Sequence, residues 1–583
     1  MLLSLLLACT DKSSEDTDPG ITDTETDTDT DTDTDADSDS DADSDTDADS
    51  DTDTTPPKTP ELWFYNSANL QVDENVTDTV ALLDRAAAAG YHGMILADFK
   101  LNLLQTDLLA EWYPENLQTV LDHAASVGLE VVPSIFPFGY SEGLYYGNPD
   151  LAEGLAVVGT PLVARSGQLV VDSDTTPLAD GGFESHSGDT FSAWDWQDGA
   201  GTRTFADTST VHGGSVSARI DAGSGNARVV QALTVEPRRQ YHGSFWVKTE
   251  AFSRGTVQVI ALDTVTGVTR NYDSLSVRST QDWTRYDFTF ITSDSTTLSL
   301  YVGVWNTAAG QLWFDDVTIE ETAFVNLIRR DGAPLTLTAG SRTLTEGTDF
   351  ANAADPVIQT AFDDWHSPPV LTTTLPEGTA VTADFYAVVP ITDYQVGACL
   401  TEPAVQTWMA ENLDAVMAAF PDATGFQFGY DEMRQVNTCA SCQATGLDAG
   451  ALLAWHVGES LGLLESGRPG ATAYVWSDMF DPHHNAHADY YLVEGDLAGS
   501  WEGIPADTVV LNWNLGNADS LAFFADRGNP QIIAGYYDSG DGYGSAQTEL
   551  AAGPGLVRGM MYTTWVGDFD QLEAYAEGAR AAW

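Results

Sequence analysis

The chain has 583 residues, 43% hydrophobic and 10% aromatic, enough apolar matter for several cores and two or three domains, so a wholly disordered protein is excluded. Asp and Glu number 88 against 23 Lys and Arg, a formal net charge of -65, and no apolar stretch reaches the roughly 18 residues that a membrane span needs. Neither a nucleic-acid binder nor a multispan membrane protein fits; such a surface repels phosphate and favours neutral or cationic ligands, or simply stays solvated in salt.

The first ten residues read MLLSLLLACT, an apolar run ending in Leu6-Leu7-Ala8-Cys9 before an abrupt turn to polar residues. This resembles the lipobox of a bacterial lipoprotein signal, and the resemblance implies that residues 1–9 are a signal whose Cys9 is the lipidated residue. Residues 10–59 are a linker: from Thr22 to Thr55 the chain repeats Thr-Asp, Ala-Asp and Ser-Asp. Like charges at every second position extend it into a disordered tether, and no Gly-kinked loop interrupts the repeat to suggest calcium. The expected location is the bacterial cell envelope or surface, held by a lipid anchor, or otherwise the secreted fraction. The anchor is the only membrane contact expected.

Folding begins near Pro60. Glu61–Asn66 reads as a buried strand, 76–90 as an amphipathic helix ending in Gly, Gly93–Asp98 as a strand, 116–128 as a helix and Leu129–Phe136 as a third strand. The rhythm breaks there and resumes with a helix over 404–420. Strands follow at 425–430, 473–476, 508–514, 531–537 and 559–565, with helices over 450–466, 519–527 and 570–582. Three strands before the break and five after it predict an α/β fold, a (β/α)8 TIM barrel interrupted after strand three, with its parts at 60–177 and 398–583. An open doubly wound sheet is the alternative.

Residues 178–322 lack helical periodicity and are rich in Thr, Ser, Val and Trp, which predicts an inserted antiparallel β-sandwich. Asp180-Gly-Gly-Phe-Glu184, His212-Gly-Gly-Ser-Val-Ser-Ala-Arg219 and Gln311-Leu-Trp-Phe-Asp-Asp-Val317 occur in it in that order. They resemble the jelly-roll carbohydrate-binding modules of cellulases and xylanases. The resemblance implies sugar-stacking aromatics, here Trp194, Trp196 and Trp305, and a structural calcium that often sits near the module's termini. Core packing is the competing role for each Trp. Residues 323–397 form a β-rich connecting segment, with a strand candidate at 383–390 assigned to the insertion.

Chemistry on parallel barrels gathers where the strands end. Strand four ends in Asp431-Glu432, two adjacent carboxylates that must be solvated, paired or used; mutual repulsion suits one of them to general-acid work. Tyr430 adjoins the pair, Trp476 and Asp478 follow strand five, Trp513 strand six, Tyr536, Tyr537 and Asp538 strand seven, and Trp565 strand eight. Aromatic walls with a few carboxylates suit a pyranose, whose CH faces are apolar and whose rim is hydroxyl. The arrangement resembles family 20 of the glycoside hydrolases, the β-N-acetylhexosaminidases. The resemblance implies that Glu432 protonates the leaving oxygen and Asp431 orients a 2-acetamido group acting as internal nucleophile. The sequence departs from the family at Phe426-Gln-Phe-Gly429 and at Tyr65-Asn66-Ser67, where no Arg stands.

A two-carboxylate retaining glycosidase using Asp538 or Asp541 is an alternative, and a non-catalytic glycan-binding lipoprotein another. A peptidase or lyase lacks a nucleophile elbow or zinc motif in this sequence. No cofactor is expected for catalysis, and a polysaccharide or glycoconjugate is the expected partner. Asp481-Pro-His-His-Asn-Ala-His487 holds enough ligands for zinc, though loop histidines lining a cleft fit better. In an exported chain Cys399, Cys439 and Cys442 are disulfide candidates, with a zinc site on Cys439 and Cys442 as the rival.

Overall fold

A computed structural model describes residues 59–141, 148–173, 176–355, 365–390, 395–536, 538 and 557–583. Cys9 and the acidic tether lie outside the described residues, as do Tyr537 and Asp541.

Eight parallel strands close into a barrel: β1 (Glu61–Asn66), β2 (Gly93–Leu96), β3 (Glu130–Ile135), β4 (Gly425–Phe428), β5 (Thr472–Trp476), β6 (Val509–Asn512), β7 (Gln531–Tyr536) and β8 (Val557–Thr563). β3 pairs directly with β4 through Gln427 opposite Ser134 and Phe428 opposite Ile135, so the insertion between them leaves the cylinder intact. Alternation along each strand explains the unbroken apolar runs. Trp63, Tyr65, Ile95, Val132, Trp476, Leu511 and Met561 fill the lumen. Their neighbours Leu62, Phe64, Met94, Val475, Val510 and Met560 pack outward in the larger core.

Seven α-helices stand among the described residues: α1 (Asp73–Ala88), α2 (Tyr113–Val127), α3 (Pro403–Ala419), α4 (Ala440–Gln443), α5 (Ala449–Gly467), α6 (Ala518–Asp526) and α7 (Leu572–Ala582). Local chemistry sets their ends. A proline opens α2 and Gly128 closes it in the left-handed region at φ 78°. The Asp448 carboxylate caps α5 by accepting from the Ala449 N–H, and Asn517 caps α6 through Asp519 and Ser520.

The expected class, an α/β (β/α)8 TIM barrel broken by one jelly roll, needs correction: the molecule is mostly β. Its architecture is a closed all-parallel eight-stranded barrel joined to further antiparallel sheets. Strict strand–helix alternation fails after β5, where the chain takes 3-10 turns at Asp478–Phe480 and Ser500–Gly503. Residues 477–508 carry Pro482, Gly495, Gly499 and Pro505 and have no 3.6-residue apolar period on which to build a helix.

The insertion holds three sheets of substance rather than one sandwich. Two five-stranded antiparallel sheets face each other across Phe245, Phe288, Phe314, Val259, Leu300 and Val302. One runs, edge to edge, 281–291, 240–253, 308–322, 217–223 and 204–207; the other runs 269–274, 256–263, 297–305, 227–234 and 196–197. The third is an eight-stranded antiparallel sheet in which Leu155–Arg165 pairs with Ala380–Ala387. Residues 155–171, which the sequence assigns to the barrel, and the connecting segment 323–397 thus form one sheet with its own core around Val157, Leu162, Phe324 and Phe385.

Candidate functional site

β4 is buried on both faces, and its chain emerges at the C-terminal rim of the barrel as Gly429-Tyr430-Asp431-Glu432. Tyr430, expected beside the substrate, turns the other way and is fully buried. Its hydroxyl contacts His456 Nδ1 at 2.9 Å and Ser460 Oγ at 2.6 Å on α5, so it ties the strand end to a helix.

Glu432 sits in the left-handed region at φ 48°, a conformation that costs a non-glycine residue about 1–3 kcal/mol. Several contacts hold it there. Its N–H donates to Asp478 Oδ2 at 2.8 Å. Its Oε2 accepts from the Tyr140 hydroxyl and from Gln395 Nε2 at 2.7 Å, and Arg434 Nη2 lies 3.4 Å from Oε1. The Glu432 side chain keeps 20% of its surface exposed, whereas Arg434 is buried beneath it with its guanidinium 4.5 Å from the Tyr491 ring centre. Gly139 explains how the β3 loop comes so close: a Cβ there would lie 2.2 Å from the Asp431 carbonyl oxygen.

Asp478 is the fixed point of the rim. Beyond the Glu432 N–H it accepts from Asn485 Nδ2 at 3.0 Å and from the Trp513 indole at 3.2 Å. Burial pushes its carboxyl above the ordinary range, opposed by His484 and by these hydrogen bonds. The His484 ring centre lies 4.4 Å from that of Trp513.

Across the lumen, Tyr65, Trp476 and Trp565 form one aromatic group, with ring centres 5.2 Å (Tyr65–Trp565), 5.4 Å (Tyr65–Trp476) and 5.9 Å (Trp476–Trp565) apart. Trp476 is buried and Trp565 is 37% exposed, so the group runs from the lumen to solvent. The Tyr65 phenol is pushed up first by burial and then by the charge of Asp431. Acid pair, Asp478, Trp513 and the Tyr65 group therefore share one end of the barrel. Asp538 stands apart from them in role. It accepts from Thr564 Oγ1 at 2.7 Å and the Trp565 N–H at 2.5 Å, and so shapes the turn after β8.

Tyr140, Gln395, Arg434 and Tyr65 are not among the sequence candidates. Tyr140 and Tyr65 were findable, since they follow or end β3 and β1 as Trp476 ends β5. Gln395 carries no signal, because it comes from the chain returning out of the insertion. Among the described residues the histidine loop brings no ligand set together: His483 packs on Phe523 and His487 Nδ1 contacts the Ala488 carbonyl.

The cysteines depart from expectation. Cys399, Cys439 and Cys442 are all buried and unbridged, their sulfurs 3.4 Å (399–439) and 3.7 Å (399–442) apart. Beside them is the fully buried Glu153, whose carboxyl is pushed up to about 7 chiefly by burial. The expected disulfide is replaced by a four-membered cluster.

In the sandwich the three tryptophans separate. Trp194 is only 6% exposed and stacks on Phe183 at 5.0 Å, a core role that corrects its assignment as a platform. Trp196 is 60% exposed and pairs opposite Val230. Trp305 and Tyr301 stand on the same outward face of strand 297–305, alternating with buried Val302 and Val304. The Arg228 guanidinium lies 5.7 Å from the Trp305 ring and 5.9 Å from Tyr301. One sheet face thus presents Trp196, Tyr301, Trp305 and Arg228 together. At the module's termini, Glu184 accepts from the Ser215 N–H and Asp315 from the N–H groups of His212 and Gly213, so the three sequence motifs meet in space.

Residues 178–309 match the family described as "Carbohydrate binding domain", so a carbohydrate-binding module of that family occupies this part of the chain. Solved structures similar to it include TmCBM61 in complex with β-1,4-galactotriose, at 17% identity over 25% of this chain and 99% of that one, TM-score 0.21. Another is the CBM22-1 xylan-binding domain from Paenibacillus barcinonensis Xyn10C, at 18% identity over 27% and 98%, TM-score 0.21. A third, described as "CBM4 structure and function", matches at 19% identity over 25% and 99%, TM-score 0.19. No curated protein matches the chain.

Proposed function

We propose that the protein holds poly- or oligosaccharide on the outward face of its module and cleaves glycosidic bonds at the barrel rim. The observation that carries the reading is the shared rim itself. Two adjacent carboxylates, one of them partly open to solvent, stand at the same strand ends as Tyr65, Trp476, Trp513 and Trp565. The module match supports the substrate class. Trp196, Tyr301 and Trp305 supply ring faces for the CH side of a pyranose, and Arg228 supplies donors to its hydroxyls.

In this reading Glu432 passes its proton to the departing glycosidic oxygen as the C–O bond breaks. Asp431 orients the group that closes on the anomeric carbon, a 2-acetamido carbonyl in the family 20 likeness. Water then bonds to the anomeric carbon as the acetamido oxygen leaves it, and Glu432 recovers its proton from that water. Asp478 fixes the Glu432 backbone and Trp513 in one register. Lipidation at Cys9 would keep this machinery at the cell envelope.

The test is hydrolysis of aryl N-acetylglucosaminides, glucosides and galactosides by the full chain. Activity is expected with at least one of them and is expected to vanish in Glu432→Gln. Release of the aryl group that survives Glu432→Gln removes the proposed role.

A second reading, glycan binding without catalysis, is favoured by one observation. Tyr140, Gln395 and Arg434 all engage the Glu432 carboxylate, leaving it less free to meet a substrate. Glycan retention by the full chain with no hydrolysis of any aryl glycoside would establish it.

A further inference from the structure

The buried cluster of Glu153, Cys399, Cys439 and Cys442 is unused by the rim chemistry. One ligand atom from each lies within 4.8 Å of every other. With zinc–sulfur bonds of about 2.3 Å and zinc–oxygen bonds of about 2.1 Å, a tetrahedral site needs sulfurs about 3.8 Å apart and sulfur-to-oxygen edges of about 3.6 Å. The cluster has sulfur separations of 3.4 and 3.7 Å and a Cys442-to-Glu153 Oε2 distance of 3.5 Å. Four buried donors, with those three edges near tetrahedral length and the rest within 4.8 Å, suit a closed structural site, and three sulfurs select a thiolate-preferring metal over calcium or magnesium.

The surroundings are those of a prepared ligand shell. Glu153 Oε1 accepts from the N–H groups of Thr438 at 2.6 Å and Cys439 at 2.8 Å, which turns Oε2 toward the sulfurs. Ser441 Oγ lies 3.2 Å from Cys439 Sγ and 3.4 Å from Cys399 Sγ, and Thr401 Oγ1 lies 3.3 Å from Cys442 Sγ, so hydroxyl donors stand ready for thiolate charge. The buried Arg330 guanidinium adds a cation beside Cys399 and Glu153. It is held by the carbonyls of Asp150 and Ala152 at 2.6 and 2.7 Å.

The four ligands come from three chain segments, the same three that meet at the rim through Tyr140, Gln395 and Glu432. Glu153 lies on the chain leaving the barrel after β3, Cys399 on the chain returning to it, and Cys439 and Cys442 on the loop after β4. We propose that Glu153, Cys399, Cys439 and Cys442 bind one zinc ion that clamps the two crossovers between barrel and insertion to the loop behind Glu432. Gln395, four residues before Cys399, and Arg434, five before Cys439, both touch Glu432, so the clamp also braces the rim. This inference stands on its own observations and does not depend on hydrolysis.

The test is metal content by mass spectrometry on the full chain purified from zinc-supplemented medium. Differential alkylation and peptide mapping would be run alongside. One zinc per chain is expected, with the three thiols unreactive until chelator and denaturant are added. Cobalt exchanged into the site should show tetrahedral thiolate absorption. Cys442→Ser and Glu153→Ala should each lose the metal, while Cys442→His, which keeps a zinc donor, should retain it. Three outcomes overturn the proposal: metal-free wild type with Cys399 disulfide-bonded to Cys439 or Cys442, metal-free wild type with three free thiols, or zinc content unchanged by Cys442→Ser. The wild-type measurement decides even where a variant fails to fold.

Discussion

Asp478 shows what one buried carboxylate does when three donors depend on it. Removing it leaves the part-buried Glu432 N–H, Asn485 amide and Trp513 indole without the acceptor that the buried Asp478 carboxylate supplies. Each unsatisfied buried donor costs about 1–3 kcal/mol. Asp478→Ala should therefore lower unfolding stability by about 3 kcal/mol in a urea melt and reduce any glycosidase kcat more than it raises KM. Asp478→Asn, which keeps one acceptor oxygen, should fall between. A variant as stable as wild type would show that the rim is not organised around this residue. His456 makes a second residue-scale case. It is fully buried on α5 against Tyr430, and burial lowers its imidazole to about 3. The folded state keeps it neutral while the unfolded chain takes up a proton near pH 6.5. This contribution is thus fully present above pH 6.5 and is lost as pH falls toward 3, at about 1.4 kcal/mol per unit. Subtracting the stability curve of His456→Leu from that of wild type between pH 7 and 4 should expose that slope; parallel curves would contradict it.

At the scale of elements, short unbroken apolar runs, whose alternate residues face the lumen and the outer core, made the barrel strands readable from sequence, and amphipathic patterns made the longer helices readable to within a few positions. The third sheet was not readable. Leu155–Arg165 finds its partner in Ala380–Ala387, with a whole sandwich intervening, and neither segment alone differs from an edge of the barrel or a loop. The same alternation separates the module's tryptophans, though only after register is known. Trp194 faces Phe183 inside, whereas Trp196 and Trp305 lie on the outward face. Trp196→Ala and Trp305→Ala should each weaken glycan binding by up to about tenfold, the worth of one aromatic contact, while leaving the melting transition in place. Trp194→Ala should instead destabilise the module by about 3–5 kcal/mol, as expected for emptying a core site. Glycan affinity measured by titration, beside calorimetric melting of the same variants, checks both halves. Equal effects from Trp194 and Trp196 would mean that the outward face is not the binding face.

The whole molecule carries a charge of -65, and only part of it belongs to the tether, where residues 11–58 hold 20 acids and two lysines. The folded portion therefore repels itself. Its cations are too few to answer every acid, and several are already committed to partners within the fold. Arg330 sits by the cysteine cluster, Arg434 lies under Glu432, and Arg558 pairs with Glu61 at 2.7 Å across the closure of the barrel. Self-repulsion of this kind destabilises a compact state and is relieved when the screening length falls from about 30 Å at 0.01 M salt to about 10 Å at 0.1 M. Raising sodium chloride across that range should accordingly raise the melting temperature. The same rise with sodium perchlorate would mark it as screening, since a specific-ion effect would differ between the two anions. A melting temperature that stays flat or falls in both salts would mean that local pairs such as Arg558 with Glu61, which screening weakens, outweigh the net repulsion.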